Sequence, residues 1–271
     1  MSSGNLGNAP ALVTIHSYPD DSFSGNASIR RGLKSEDSSN GDSAWWAMTD
    51  EEREIANAKR SGHRAIQTLT RKVRHGNLRR LLTFTNGGRG QGWESLRSSV
   101  LDVCEWFKAE GDLLGDTGFI CVAERGKDGG RIHVHAAIRS GYRLDYSAII
   151  ASWTAFLTAK GYESSTGSHR WHAGDELGRG RTGFSSARTC ADYLSKYLAK
   201  GFKSDARAKF EKRFRSSGCY LPEPKRLCGG VMDDVPGLLA EMFEGRSIHT
   251  RWFEGGDGSY GGYTFEVGPA G

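Results

Sequence analysis

The feature that most constrains this chain is a repeated switch of hydrophobic period between residues 79 and 200. Arg79-Arg80-Leu81-Leu82-Thr83-Phe84-Thr85 has the content of a strand and is stopped by Asn86-Gly87-Gly88. From Trp93 to Glu110, Leu96, Val100, Val103 and Phe107 recur at helical spacing. Gly118 to Glu124 reads as a second strand and Arg131 to Ile138 as a third. The turn signal Lys127-Asp128-Gly129-Gly130 between them makes a hairpin. Leu144 to Lys160 returns to the helical period through Ile149, Ile150, Trp153, Phe156 and Leu157, and ends at Gly161. A short strand near Ser168–Ala173 follows. Strand-helix-strand-strand-helix-strand is the order of a split βαβ unit. The expected fold is therefore α+β, ferredoxin-like or RRM-like. Its central sheet is mostly antiparallel and flanked by helices, expected on one face.

Outside this core, Thr49 and Glu52 form the pattern of a capping box, and a helix is expected to run to about His75. It carries Lys59, Arg60, Arg64, Arg71, Lys72 and Arg74. Ser185 or Ser186 is expected to cap a helix running through Lys200 and stopped at Gly201. A basic helix is expected from there to about Arg215. Residues 1–43, rich in Ser, Gly, Asn and Asp, read as a disordered tail. From Gly229 the chain is acidic and glycine-rich, with its last dozen residues expected to be loose. The expected division is a tail over 1–43, a basic helical extension over 44–77, a main domain over 78–215, and a C-terminal extension over 216–271.

Charge is also unevenly spread along the chain. Residues 55–215 hold 29 Lys/Arg against 15 Asp/Glu, a net of +14, whereas the flanks hold 8 against 17, a net of −9. No acid occurs between Glu54 and Glu94. A basic centre with acidic ends suits a phosphate-binding body, though an uneven solvated surface has the same composition. The five cysteines form no CxxC pair, which argues against a zinc ribbon or a thioredoxin-type site. Free thiols in a reducing cytoplasm fit them best. No apolar run approaches the roughly 20 residues of a membrane span, and no basic-then-apolar signal opens the chain. GxxxxGK[ST] is absent, so no ATP-driven motor is recognisable.

Two short strings carry the chemistry. In Arg131-Ile132-His133-Val134-His135-Ala136-Ala137-Ile138, strand alternation turns His133 and His135 to one side, roughly 7 Å apart. Two neutral imidazoles so placed can grip a divalent ion. Glu124 ends the preceding strand, and the hairpin returns it beside them as a third ligand, leaving positions open for a phosphate. The competing reading is an exposed strand face. In Tyr193-Leu194-Ser195-Lys196-Tyr197-Leu198-Ala199-Lys200, the two phenols share a helix face about 6 Å apart, with Lys196 and Lys200 near it. A phenol with a pKa of about 10 is a poor nucleophile at neutral pH unless a cation favours the phenolate or a metal polarises the phosphate. Here the competing reading is the buried stripe of an amphipathic helix.

Taken together, these strings resemble the HUH endonucleases (His-hydrophobic-His), specifically rolling-circle replication initiators of the two-tyrosine, phage gene A-like type. Leu81–Thr85 looks like their first motif, Ile132–Ile138 like their metal-binding motif, and Tyr193–Lys200 like their nucleophile motif, in matching order over about residues 78–202. The resemblance implies an HUH endonuclease domain over 78–215. It implies a Mg²⁺ or Mn²⁺ ion on His133, His135 and Glu124, although histidine ligands also suit Zn²⁺. One tyrosine would attack a phosphodiester of single-stranded or supercoiled origin DNA, leaving a 5′-phosphotyrosine and a free 3′-OH. The second tyrosine would cut the regenerated site, and rejoining would need no ATP. Catalysis falls to Tyr193, Tyr197, Lys196 and Lys200. With no motor of its own, such a protein would depend on a host helicase and polymerase, in the host cell cytoplasm and away from membranes.

DNA contacts are expected from Arg79, Arg80, Thr83, Thr85, Arg131, Arg179, Arg181 and Arg188, and from the basic Lys59–Arg80 and Lys203–Arg215 segments. Trp93, Trp171 or Phe184 are candidates for stacking on bases, against a core role for each. His169 and His172 are expected to be ordinary surface histidines. Three rivals remain: an HUH relaxase or transposase, a metal-dependent barrel hydrolase, and a non-enzymatic nucleic-acid binder on the same scaffold. Relaxases usually place the tyrosine before the His pair, and a barrel needs more strands than this pattern holds.

Overall fold

The computed structural model describes residues 10–29, 47–85, 93–114, 118–126, 132–139, 144–162, 172–173, 184–204, 212, 214–231, 234–254 and 261–270. In chain order the elements are β1 (Pro10–Ser17), β2 (Phe23–Ile29), α1 (Asp50–His75), β3 (Arg80–Thr85), α2 (Leu96–Ala109), β4 (Phe119–Arg125), β5 (Ile132–Ile138), α3 (Tyr146–Ala159), β6 (His172–Ala173), α4 (Ala187–Ser204), β7 (Arg215–Ser217), β8 (Lys225–Val231), α5 (Val235–Met242), β9 (Ile248–Glu254) and β10 (Gly261–Val267), with a single helical turn at Gly111–Leu114 after α2. The chain divides into one unit of residues 1–56 with 222–271, and a second of residues 57–221. No helix among the described residues is long and apolar enough to cross a membrane.

The second unit holds the sheet β6-β3-β5-β4-β7, antiparallel throughout. The crossover through α2 carries the chain from β3 past the place of β5 to β4. The hairpin then returns β5 between them, which is the split connection expected from the element order. Local chemistry sets the helix starts. Thr49 and Glu52 form the reciprocal capping box of α1, with Thr49 N–H donating to Glu52 at 2.8 Å and Glu52 N–H to Thr49 Oγ1 at 3.2 Å. Ser95 caps α2 through Ser98 N–H. Asp145 caps α3 through two amide donors. Gly161, at φ +78°, takes the left-handed turn after α3.

Helices cover both faces of this sheet, not one as expected. On the first face α2 and α3 bury Leu82, Phe84, Phe119, Cys121, Ala123, Val134 and Ile138 with Trp106, Phe107 and Trp153. On the second, α1 and α4 meet Leu81, Ile120, Val122 and Ala137 through Leu69, Val73, Ala191, Leu194 and Leu198. The basic helix α1 is thus part of this core and not an extension of it. Helix α4 also runs through Gly201 to Ser204, beyond its expected end. Arg215 begins a strand, where a basic helix was expected; residues 205–211 lie outside the described ones.

The flanks depart most from expectation. Residues 10–29 of the expected tail are β1 and β2, and the expected loose end contains β10. With β8 and β9 they form a five-stranded antiparallel sheet, order β8-β1-β2-β10-β9. Alternate residues Val13, Ile15, Ala27, Phe265 and Val267 pack on Val235 and Leu239 of α5 and on Phe243, which caps its end. Composition misled because this sheet has one apolar face, so half of each strand is polar. Gly25 is required by close approach, since a Cβ there would lie 2.4 Å from the Phe265 ring.

Candidate active site

The site is built on the second face of the β3-β5-β4 sheet. His133 pairs with Thr85 on one side and Glu124 on the other, and His135 pairs with Thr83 and Val122. Directly paired residues share a face, so alternation gathers Thr83, Thr85, Glu124, His133 and His135 on the face that also carries Leu81, Ile120 and Ala137. Helix α4 lies against that face by its Cys190, Ala191, Leu194 and Leu198 side, all essentially buried. Four-residue spacing puts Tyr193 and Tyr197 on the same side.

The two strings meet there. The Tyr197 ring stacks on the His135 ring, with centroids 3.6 Å apart and planes within 14°. Tyr197 donates its hydroxyl to the Tyr193 hydroxyl at 2.7 Å, and the two rings stand edge to face. His135 Nε2 lies 3.1 Å from Glu124 Oε1. Its Nδ1 lies 3.0 Å from Thr83 Oγ1, a hydroxyl that can donate or accept and so suits either tautomer. Lys200 Nζ pairs with Glu124 Oε2 at 3.1 Å and sits 4.9 Å from the Tyr197 ring centroid. Lys196 Nζ lies 5.3 Å from the Tyr193 centroid. Tyr197 is 8 % exposed, whereas Tyr193 is half-buried. Burial pushes the Glu124 carboxyl up. The contacts from His135 and then Lys200 outweigh that push and hold it below the ordinary carboxylate value.

A metal would find two donors ready. An Nε2–Oε1 separation of 3.1 Å is what one ion with bonds of roughly 2.0–2.2 Å to adjacent ligands spans. Glu124 Oε2 is buried without an aligned hydrogen bond, meeting Lys200 as an ion pair only. The third expected donor is not gathered. The His133 ring centroid is 6.4 Å from that of His135, and among the described residues no three potential ligands stand close enough together to hold an ion.

The expected DNA-contacting residues separate into groups. Thr83 and Thr85 are buried at 5 % and 7 % exposure, and Thr83 positions His135 where a phosphate contact was expected. Arg80 is buried as well. Arg79 is exposed, but its guanidinium donates to Ser185 O and its carbonyl accepts from Phe184 N–H at 2.6 Å, tying β3 to the start of α4. Arg188 is exposed on α4. Arg131, Trp171, His169, Arg179 and Arg181 lie outside the described residues, as does the His172 side chain. Of the stacking candidates, Trp93 is buried and donates to Asp102 at 2.9 Å, and Phe184 packs against the Tyr193 ring at 5.5 Å. The supporting roles of Thr83 and Phe184 had one sequence signal only: alternation along β3 places Thr83 on the Leu81 side, but its partner needs the register.

No protein-family model, curated protein or solved structure matches this chain. The functional reading therefore rests on the residues and their arrangement.

Proposed function

We propose that this chain is a rolling-circle-type HUH endonuclease that nicks and rejoins single-stranded DNA through a phosphotyrosine intermediate. One observation carries the reading. Two strings about 60 residues apart converge: the Tyr197 ring, whose hydroxyl donates to that of Tyr193, stacks on the ring of His135, which in turn contacts Glu124. A buried amphipathic stripe would account for Tyr197 alone. It does not account for a half-buried Tyr193 whose hydroxyl accepts a hydrogen bond and whose ring has a lysine over it.

In the proposed reaction a tyrosine Oη forms a bond to the scissile phosphorus and the P–O3′ bond breaks. The phenolic proton leaves, and the departing 3′ oxygen takes up a proton, giving a 5′-phosphotyrosine and a free 3′-OH. Tyr193 is set to attack first: it is the more accessible phenol, and the Tyr197 O–H donated to its oxygen stabilises charge developing there. Thr83 and Glu124 hold the His135 ring between them. The Tyr197 ring shields one side of it, and Lys200 offsets the Glu124 charge. A divalent ion held by Glu124 and His135 would supply Lewis-acid polarisation of the phosphate, and His133, whose ring lies 6.4 Å from that of His135, would have to move toward them to join as a third ligand. The second tyrosine serves the closing cut, and a host helicase would open the duplex.

The test is a denaturing gel of protein mixed with single-stranded DNA and Mn²⁺, with His133→Ala and the double Tyr193→Phe/Tyr197→Phe variant alongside. A DNA-linked band in wild type alone is the expected result. Binding in a native gel without any adduct on single-stranded or supercoiled DNA would turn the reading to a non-enzymatic binder.

A further inference from the structure

Helix α2 carries two stripes. Leu96, Val100, Val103 and Phe107 face the core. Leu101, Cys104, Glu105 and Lys108, again at helical spacing, form one wall of an open groove of about 830 Å³. Its other wall is β7, an edge strand of the sheet, with Arg215, Ser216 and Ser217. Leu101, Phe119 and Phe214 provide apolar surface, and Leu101 is 40 % exposed. Four cations border the space: Lys72, Lys108, Lys212 and Arg215. Lys72 Nζ donates to two neutral oxygens, Ser216 Oγ and Cys219 O, at 2.9 Å each, so neither contact cancels its charge. The bordering acid, Glu105, is held by Lys160 at 2.6 Å. The groove is therefore cationic along its walls and apolar within.

We propose that this groove is a second nucleic-acid site, holding a strand of single-stranded DNA by its phosphates with a base against the apolar surface. Cations alternating with aromatic and aliphatic surface are what a strand needs, and what an isolated inorganic anion does not. The groove opens at the Phe119 end of β4, whereas Glu124 lies five residues along the same strand, about 17 Å away. It is thus separate from the tyrosine site, and would hold a strand that extends beyond the nick. The Cys104 thiol lies in the groove wall. Contact with Cys121 lowers it, burial opposes that, and Arg215 and Lys108 add to the lowering, leaving it below the ordinary thiol value. The identity of the ligand as DNA rests on the proposed function; the groove's charge and shape do not.

The experiment uses the full chain and a fluorescent oligothymidylate of about 30 nucleotides, longer than the roughly 4–16 that a single module covers. Affinity is read by anisotropy across a salt series for wild type, Lys108→Glu/Arg215→Glu, and the milder Lys108→Ala/Arg215→Ala, each checked for an unchanged melting curve. Loss of two phosphate contacts should flatten the log-affinity against log-salt slope by about 1.4 and weaken binding at least about tenfold. Alkylation of Cys104 by iodoacetamide, read by mass spectrometry, should slow when the oligonucleotide is bound to wild type. Affinity and slope unchanged in both variants would overturn the groove. Displacement by equimolar dTMP would overturn the strand in favour of a nucleotide pocket. The tyrosine site is read separately, as adduct formation on an oligonucleotide of about 8 nucleotides, within a single-module footprint. Groove-dependent binding without any adduct, on this oligonucleotide and on longer single-stranded or supercoiled DNA alike, refutes the nicking proposal and leaves the groove standing. Adduct with groove-independent binding does the reverse.

Discussion

The two faces of the β3-β5-β4 sheet share one backbone and one alternation, yet they are built for different ends. On the face under α2 and α3, Phe84 meets Trp106, Phe107 and Trp153 edge-on at 5.0–5.6 Å between centroids, and all four are essentially without exposure. Its buried polar side chains on α2 are each satisfied nearby: Ser99 donates to Leu96 O at 2.8 Å, and Asp102 accepts from Trp93 and Tyr162 at 2.9 Å each. On the face under α1 and α4 the apolar half stops at Ala137 and Val122. Beyond it lie Thr83, His135 and Glu124, buried polar groups that must satisfy one another because water is largely excluded. The first face gains stability from complete apolar burial. The second gives up part of that gain to hold ionisable groups in contact, which is the usual position of reactive chemistry.

Substitutions can break or sharpen this contrast. The largest stability effect is expected on the closed face: Phe84→Ala should cost about 3–5 kcal/mol, read as the urea midpoint, because the surrounding rings cannot collapse into the space. A cost below about 1 kcal/mol would mean this face is not close-packed. On the site face, Glu124→Gln should cost about 1–3 kcal/mol at neutral pH, by weakening charge-assisted contacts to His135 and Lys200. It should also abolish the DNA adduct. Because the folded Glu124 carboxyl lies below its ordinary value of 4.5, its contribution is fully present above that value and is lost as pH falls through the lower folded one. The gap between wild type and Glu124→Gln should therefore close on acidification; a gap that persists to low pH would show that packing, not charge, holds the site.

The closed face should instead lose stability in alkali. Burial, and then the hydrogen bond to Asp102, push the Tyr162 phenol up to about 12. Its contribution is whole below the ordinary value of 10.0 and is lost as pH rises through the folded one. Unfolding curves from pH 9 to 12 should lose part of their slope in Tyr162→Phe, and an unaltered slope would remove Tyr162 from the account. The smallest stability change is expected of the double Tyr193→Phe/Tyr197→Phe variant, within about 1 kcal/mol for one lost hydroxyl pair. Yet this variant should form no DNA adduct at all. Of the singles, Tyr193→Phe should reduce the first adduct more than Tyr197→Phe does.

Much of the second unit was legible because local signals and tertiary demands agree there. The Thr49/Glu52 box, the glycine at 161 and the helical stripe of α2 each mark a boundary within a residue or two of where it falls. The His pair and the two tyrosines were legible as faces, since a period of two or of four follows from backbone geometry alone. Glycine misled at position 201, where α4 continues to Ser204: one glycine weakens a helix by about 1 kcal/mol, which packing of its apolar side can offset. Thr83 and Thr85 were read as DNA contacts because nothing local to β3 says which strand lies beside it. The tail was misread because β1 and β2 complete their sheet only with strands more than 200 residues later.

By itself, the amino-acid sequence determined the element order from α1 to α4, the split connection and the paired sides of β5 and α4. These are consequences of short-range sterics, capping and hydrophobic period. Only the tertiary structure decided that the two sides face each other, that Thr83 steadies His135, that the His133 ring lies 6.4 Å from that of His135, and that the two termini build one sheet. Each of those but the His133 spacing is a contact between residues far apart in the chain. Its formation depends on register and on the summed burial of a whole layer, which no local stretch encodes.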